Sequence, residues 1–240
     1  MKRILALLYG FGAYATFLAS FLYAIAWLNN LFVAKTIDSG MAALLGEALV
    51  VNVLLLSAFA IQHSVMARPA FKRWFTQFVS PAVERSTYVL ASSLLLFAIC
   101  LYWRPLPDPV WQVGGAGGTV LTALGWLGWL IVLLSTFMIN HFDLFGLRQV
   151  WQYSQGVPPS PPPFVERMLY KLVRHPIMLG FLIAFWATPT MSNGHLLFAV
   201  VTTAYILVAL QLEERDLKAA HGASYEDYRK RVRMLIPLPK

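Results

Sequence analysis

Residues 174–216 read RHPIMLGFLIAFWATPTMSNGHLLFAVVTTAYILVALQLEERD. Between Arg174-His175 and Glu213-Glu214 lies an apolar run, Ile177 to Leu212, of 36 residues. As one helix it would reach ~54 Å at ~1.5 Å per residue, far more than the ~30 Å hydrocarbon core of a bilayer. The run must therefore break. Thr188-Pro189-Thr190-Met191-Ser192-Asn193-Gly194 marks where, because proline, glycine and small polar residues interrupt helices. The stretch reads as a helical hairpin with arms at 176–188 and 195–212, the first arm short for a full crossing. Its ends carry opposite charges: Arg174 and His175 where it begins, Glu213 and Glu214 where it finishes.

Working outward, four further apolar runs stand at Ile4 to Leu28, Met41 to Ser64, Thr87 to Trp103 and Val120 to Ile139. Each approaches the ~20 residues that span a bilayer. The chain of 240 residues is 58% hydrophobic and 12% charged, against about 25% charged in soluble domains. The expected fold is an all-α integral membrane protein, with four transmembrane helices and the C-terminal hairpin giving five to six spans. Cytoplasmic loops carry excess Lys and Arg. With the N-terminus inside, 17 of the 19 basic residues fall on the inner side, leaving only Lys35 and Arg104 outside. Both termini are thus expected in the cytoplasm. The net charge of +8 follows from this topology and suits an anionic lipid surface, not nucleic acid. The first run, with its basic start, exceeds a signal-peptide core and reads as a span.

The chain is expected to form one membrane-embedded domain, 1–240. Within it, 1–140 reads as a four-span bundle and 141–175 as a proline-rich cytoplasmic loop. There Pro158-Pro159 and Pro161-Pro162-Pro163 favour a polyproline II strut. Residues 176–240 hold the hairpin and an amphipathic C-terminal helix, in which basic residues alternate with Leu217, Tyr225, Tyr228, Val232 and Leu235, along the cytoplasmic surface. Cys100, the one cysteine, sits mid-span and reads as a structural thiol.

Assigning sides gathers four polar clusters at the cytoplasmic face: Gln62-His63-Ser64, Asn140-His141-Phe142-Asp143, Arg174-His175 and Glu213-Glu214. Ionisable residues at the edge of a span usually face the bundle interior or a wet cavity. His63, His141 and His175 lack i, i+4 pairing and no HExxH occurs, so no metal site is expected. No GxSxG elbow, P-loop or GxGxxG is present.

Arg174-His175-Pro176, then Gly180, Glu213-Glu214, Leu217, His221-Gly222, Tyr225, Tyr228 and Ile236-Pro237 together resemble the cofactor half of the isoprenylcysteine carboxyl methyltransferase superfamily. Met178 stands where an aromatic is common, and His221 where phenylalanine is frequent. Gln62 to Pro69, Glu84 to Tyr88 and Ile139 to Gln149 resemble the NnrU-like branch, and within it the methanethiol S-methyltransferases, so nearly the whole chain is covered. The resemblance implies a membrane methyltransferase domain in a bacterial cytoplasmic membrane. Its activity would be S-adenosylmethionine-dependent transfer of a methyl group to methanethiol, a small volatile thiol, giving dimethyl sulfide. The alternative within the branch is a haem-binding isomerase or nitrogen-oxide-related protein, with His63 and His141 on iron.

For the methyl-transfer reading, the implied cofactor residues are Arg174, His175, Pro176, Gly180, Glu213, Glu214, Tyr225 and Tyr228. Arg174 would clamp the donor carboxylate, a glutamate would accept from the ribose or ammonium, and the tyrosines, three apart on a helix, would close over adenine. Thiols attack as thiolates, which calls for a base. His141 is the first candidate and His63 the second, with Asp143 to orient a histidine and Arg148 to stabilise thiolate charge.

Overall fold

The structure is a computed structural model that describes residues 1–158 and 166–237. Five helices are long and apolar enough to cross a membrane: α1 (Lys2–Leu28), α2 (Leu45–Ala67), α4 (Pro81–Tyr102), α5 (Gly115–Ile139) and α9 (Asn193–His221). Shorter helices are α3 (Pro69–Phe75), α6 (His141–Leu144), α7 (Leu147–Ser154), α8 (Pro176–Trp186) and α10 (Ala223–Arg231), with a 3-10 turn at Met168–Lys171. Two short strands, β1 (Pro109–Gln112) and β2 (Thr190–Ser192), pair antiparallel. The apolar runs expected as spans all become helices. The polyproline strut falls largely outside the described residues.

The chain divides into two compact units: Met1–Asp108 with 142–158, and Pro109–His141 with 166–237. In the first, α1 lies along α4 and α7. A Cβ on Gly10 would stand 2.5 Å from Val150 Cγ2, so glycine sets how closely α1 and α7 approach. Helix α4 begins at Pro81, where a missing N–H costs nothing, and Ser80 accepts from Ala82 N at 3.4 Å. Near the other end of α4, the buried Asn52 side chain on α2 donates to Arg104 O and accepts from Arg104 N, both at 2.8 Å, closing a backbone-like pair.

In the second unit the hairpin packs on α5 through small residues. A Cβ on Gly180 would meet Gly128 O at 2.8 Å, and one on Gly128 would meet Ala184 N at 2.6 Å. Apolar helices in lipid gain from such close backbone approach because dispersion, not hydrophobicity, drives their pairing. Helix α8 has 11 residues, only ~16 Å of rise. Ala187 to Pro189 then continues in non-helical form beside Gly125 and Gly118 until β2 meets β1 ahead of α5. The interruption expected at 188–194 is thus a strand and a new helix start, with Ser192 accepting from His195 N at 3.1 Å. Buried His195 Nε2 lies 2.9 Å from Phe185 O, joining the two arms. Helix α9 has 29 residues, ~43 Å, so it outruns the ~30 Å hydrocarbon core and carries Glu213 and Glu214 past the apolar segment as one unbroken helix.

Candidate active site

Glu214, in the last third of α9, is the hub of the second unit. Arg174 Nε donates to its Oε1 at 2.8 Å and Arg174 Nη2 to its Oε2 at 3.0 Å. His175 Nε2 and Tyr225 OH each stand 2.8 Å from Oε1, and Arg229 Nε is 3.0 Å from Oε2. The Arg174 and Glu214 side chains are only 7% and 9% exposed. Two cations, an imidazole and a hydroxyl therefore satisfy one desolvated carboxylate, which is the condition under which a buried ion pair persists. Glu213 differs: its side chain is 45% exposed, with Oε2 3.7 Å from His175 Nδ1.

The backbone positions Arg174. After α10 the chain returns parallel to residues 173–175: Arg174 N donates to Arg233 O at 2.9 Å and His175 N to Met234 O at 3.1 Å, while Arg174 Nη1 donates to Val232 O at 2.6 Å. Pro176 is buried at the first position of α8. Gly180 serves the helix crossing with Gly128.

Tyr225 and Tyr228 are buried rather than open over a ligand face, at 1% and 3% exposure, in a cluster with Val232 and Leu217. Three-residue spacing does put them on one side of α10, but that is the side that packs inward. Tyr225 OH serves Glu214, and Tyr228 OH donates to Tyr170 O at 2.5 Å. Burial, and for Tyr225 the adjacent Glu214 carboxylate, pushes both phenols above their ordinary range, so they act as neutral donors. Arg174, Arg229, Lys230 and Glu226 line a hollow of about 240 Å³ beside the cluster. Glu226 is paired with Lys218 and, at 3.6 Å, with Arg229, and Lys230 with Asp227 at 2.8 Å. Exchange of these solvent-facing pairs would offer cations to a carboxylate and Glu226 to an ammonium, the amino-acid end of a zwitterionic ligand.

His141 belongs to the same unit. It is buried, its ring lies 4.2 Å from Phe137 at 4°, and its Nδ1 is 2.9 Å from Thr136 Oγ1. Thr136 Oγ1 already donates to Leu133 O at 2.7 Å, so it accepts from His141 Nδ1–H. That arrangement favours the tautomer with the lone pair on Nε2. Burial lowers the His141 pKa, keeping the ring neutral. Tyr170 links this end of α5 to the ion cluster, through its OH to Ser135 O at 3.5 Å and its own carbonyl to Tyr228.

His63, Asp143 and Arg148 lie in the first unit. His63 Nδ1 is 3.1 Å from Ser92 Oγ, whose proton has Gln62 Oε1 and Tyr88 O as acceptors, and Tyr88 OH stands 2.8 Å from His63 Nε2. Both ring nitrogens are engaged. Asp143 Oδ1 takes Arg148 Nη1 at 3.3 Å and Gln149 Nε2 at 3.4 Å. Arg85 donates to Leu144 O at 2.8 Å and sits 4.9 Å over the Tyr88 ring. Sequence reasoning missed Arg229, Thr136, Tyr170 and Tyr88 as working residues. Arg229 had a signal, since Tyr225 and Arg229 are i, i+4 neighbours that reach one carboxylate; the local sequence around Thr136 and Tyr170 carried none.

Fold and site define an all-helical integral membrane protein with a buried ionic cluster where its last long helix leaves the apolar layer. The chain belongs to the NnrU family, whose model, described as NnrU protein, matches residues 51–233. It is 59% identical to methanethiol S-methyltransferase 2 of Bradyrhizobium diazoefficiens over 98% of this chain and 91% of that protein. It is 56% identical to methanethiol S-methyltransferase of Mycobacterium tuberculosis over 100% and 98%. Nurim of Rattus norvegicus is 29% identical over 70% of this chain and 67% of its own length. No solved structure matches.

Proposed function

We propose that this protein is a membrane S-methyltransferase that converts methanethiol to dimethyl sulfide with S-adenosylmethionine as methyl donor. The near-full-length relatives named methanethiol S-methyltransferase support this over the haem-binding alternative. The observation that carries the donor site is the Glu214 cluster bordering the cationic hollow. The bound donor would supply an electrophilic methyl carbon on a sulfonium. Arg229 and Lys230 would hold its carboxylate, Glu226 its ammonium, and half-exposed Glu213 its hydroxyls. Arg174, His175 and Tyr225 fix Glu214 and so hold the walls of the site in place. His141 Nε2 would take the thiol proton as the sulfur attacks, because its Nδ1 proton is committed to Thr136. His63, with both nitrogens engaged, and Asp143, paired with Arg148, serve the packing of their own unit. Pro176 and Gly180 set the path of α8.

In the same reading the chain crosses the membrane six times with both termini in the cytoplasm. Helix α8 together with the extended segment 187–189 makes the fifth crossing, since its contacts run along α5 from Val132 to Gly118. Residues 1–240 act as one methyltransferase domain, and α10 lies at the cytoplasmic surface with its tyrosines turned inward.

The test is headspace detection of dimethyl sulfide from purified protein given S-adenosylmethionine and methanethiol, together with calorimetric titration of S-adenosylhomocysteine. Product formation and saturable binding are expected. No product from protein that retains binding would sink the acceptor; no binding would sink the donor.

A further inference from the structure

A second hollow, of about 580 Å³, opens in the same unit beside the final turns of α5. Leu134, Phe137, Met138 and Met168 form its apolar walls, and Arg167 and Lys171 stand on its rim. Met168 is 70% exposed and Phe137 56%, a level that water would penalise and acyl chains would not. Met168 is also held at φ +44°, in the left-handed region that side-chain-bearing residues rarely adopt. The remaining charged lining residue, Glu166, is taken by Arg231 Nη2 at 2.9 and 3.2 Å. With that acid neutralised, Arg167 and Lys171 leave the rim net cationic.

Position fixes the chemistry. The walls are the last apolar turns of α5, and the cations sit just beyond them, where a phospholipid passes from acyl chain to phosphate. A neutral lipid would satisfy the walls alone, and a soluble anion the rim alone. We infer that this hollow is a binding site for an anionic phospholipid, its acyl chain along Leu134 and Met138 and its phosphate between Arg167 and Lys171. One face of Phe137 packs on His141, so a seated lipid would border the residue that Nε2 chemistry requires. The inference itself does not depend on the methyl-transfer reading.

The test uses the full chain in neutral detergent, with dioctanoyl phosphatidylglycerol, dioctanoyl phosphatidylcholine or inorganic phosphate added, read by native mass spectrometry and thermal unfolding without substrate. Phosphatidylglycerol is expected to bind at least tenfold more tightly than phosphatidylcholine and to raise Tm, while phosphate alone leaves Tm unchanged. The double variant R167Q/K171Q should lose about fivefold for each cation removed, so that the two lipids become nearly equal. The control K2Q/R73Q, which removes the same charge elsewhere on the cytoplasmic side, should keep the preference. Equal affinity for both lipids, a shift produced by phosphate alone, or equal losses in the two double variants would overturn the proposal.

Discussion

Arg174 grips both oxygens of Glu214, at 2.8 and 3.0 Å, across 40 positions of sequence. The pair joins the start of the hairpin to the far end of α9, and the C-terminal return at Val232 to Met234 holds the arginine from its other side. Salt cannot easily screen it because both side chains are buried.

Removing one partner leaves the other charged in a dry site. Arg174→Ala should cost about 3–5 kcal/mol and abolish S-adenosylhomocysteine binding, and Glu214→Ala should do the same by leaving buried Arg174 without its carboxylate. Thermal unfolding in detergent beside calorimetry measures both effects; an Arg174→Ala protein with wild-type Tm would show that the pair is not a keystone.

Tyr225→Phe keeps the buried ring and deletes one donor to a carboxylate, for a cost of about 1.5–3 kcal/mol. The loss should appear in the unfolding midpoint and in donor affinity, with the KM for thiol little changed. If Tyr225→Phe instead raised only the KM for thiol, the hydroxyl would be serving the acceptor.

Gly128→Ala and Gly180→Ala would each drive a methyl group to within 3 Å of the facing backbone. Overpacking of this kind costs about 1–3 kcal/mol, so both variants should unfold earlier. Their unfolding temperatures relative to Gly12→Ala, where nothing lies within 4 Å, separate crossing geometry from helix propensity, which alone would stabilise.

Burial holds the His141 pKa below the usual histidine value of about 6.5. The base form is therefore present at neutral pH, and the acid limb of kcat/KM should lie below about pH 6.5. The sign for stability follows: below about pH 6.5 the unfolded chain takes up a proton that the buried ring resists, so stability falls as pH falls. Thr136→Val should shift the acid limb by releasing the Nδ1 tautomer, His141→Ala should abolish it, and His63→Ala should lower Tm without moving it. A pH profile unchanged in His141→Ala would remove His141 as the base.

Local sequence marked the spans, the interruption at 188–194 and the charged residues at the two ends of the last excursion. Each of these is a local property: about twenty apolar residues must cross lipid, and proline with glycine must break a run too long for it. That Arg174 and the glutamates return to one face was legible for the same reason, but they read as gripping a ligand; the packing instead closes Arg174 on Glu214 itself. Only the tertiary structure decided that Tyr225 and Tyr228 point into the core, that Val232 to Met234 runs beside Val173 to His175, and that Thr136 sets the proton on His141. Those outcomes depend on which face of a helix meets a neighbour distant in sequence. The pattern in ASYEDYRKR puts Tyr225 and Tyr228 on one side of a helix but does not say whether that side meets protein, lipid or ligand.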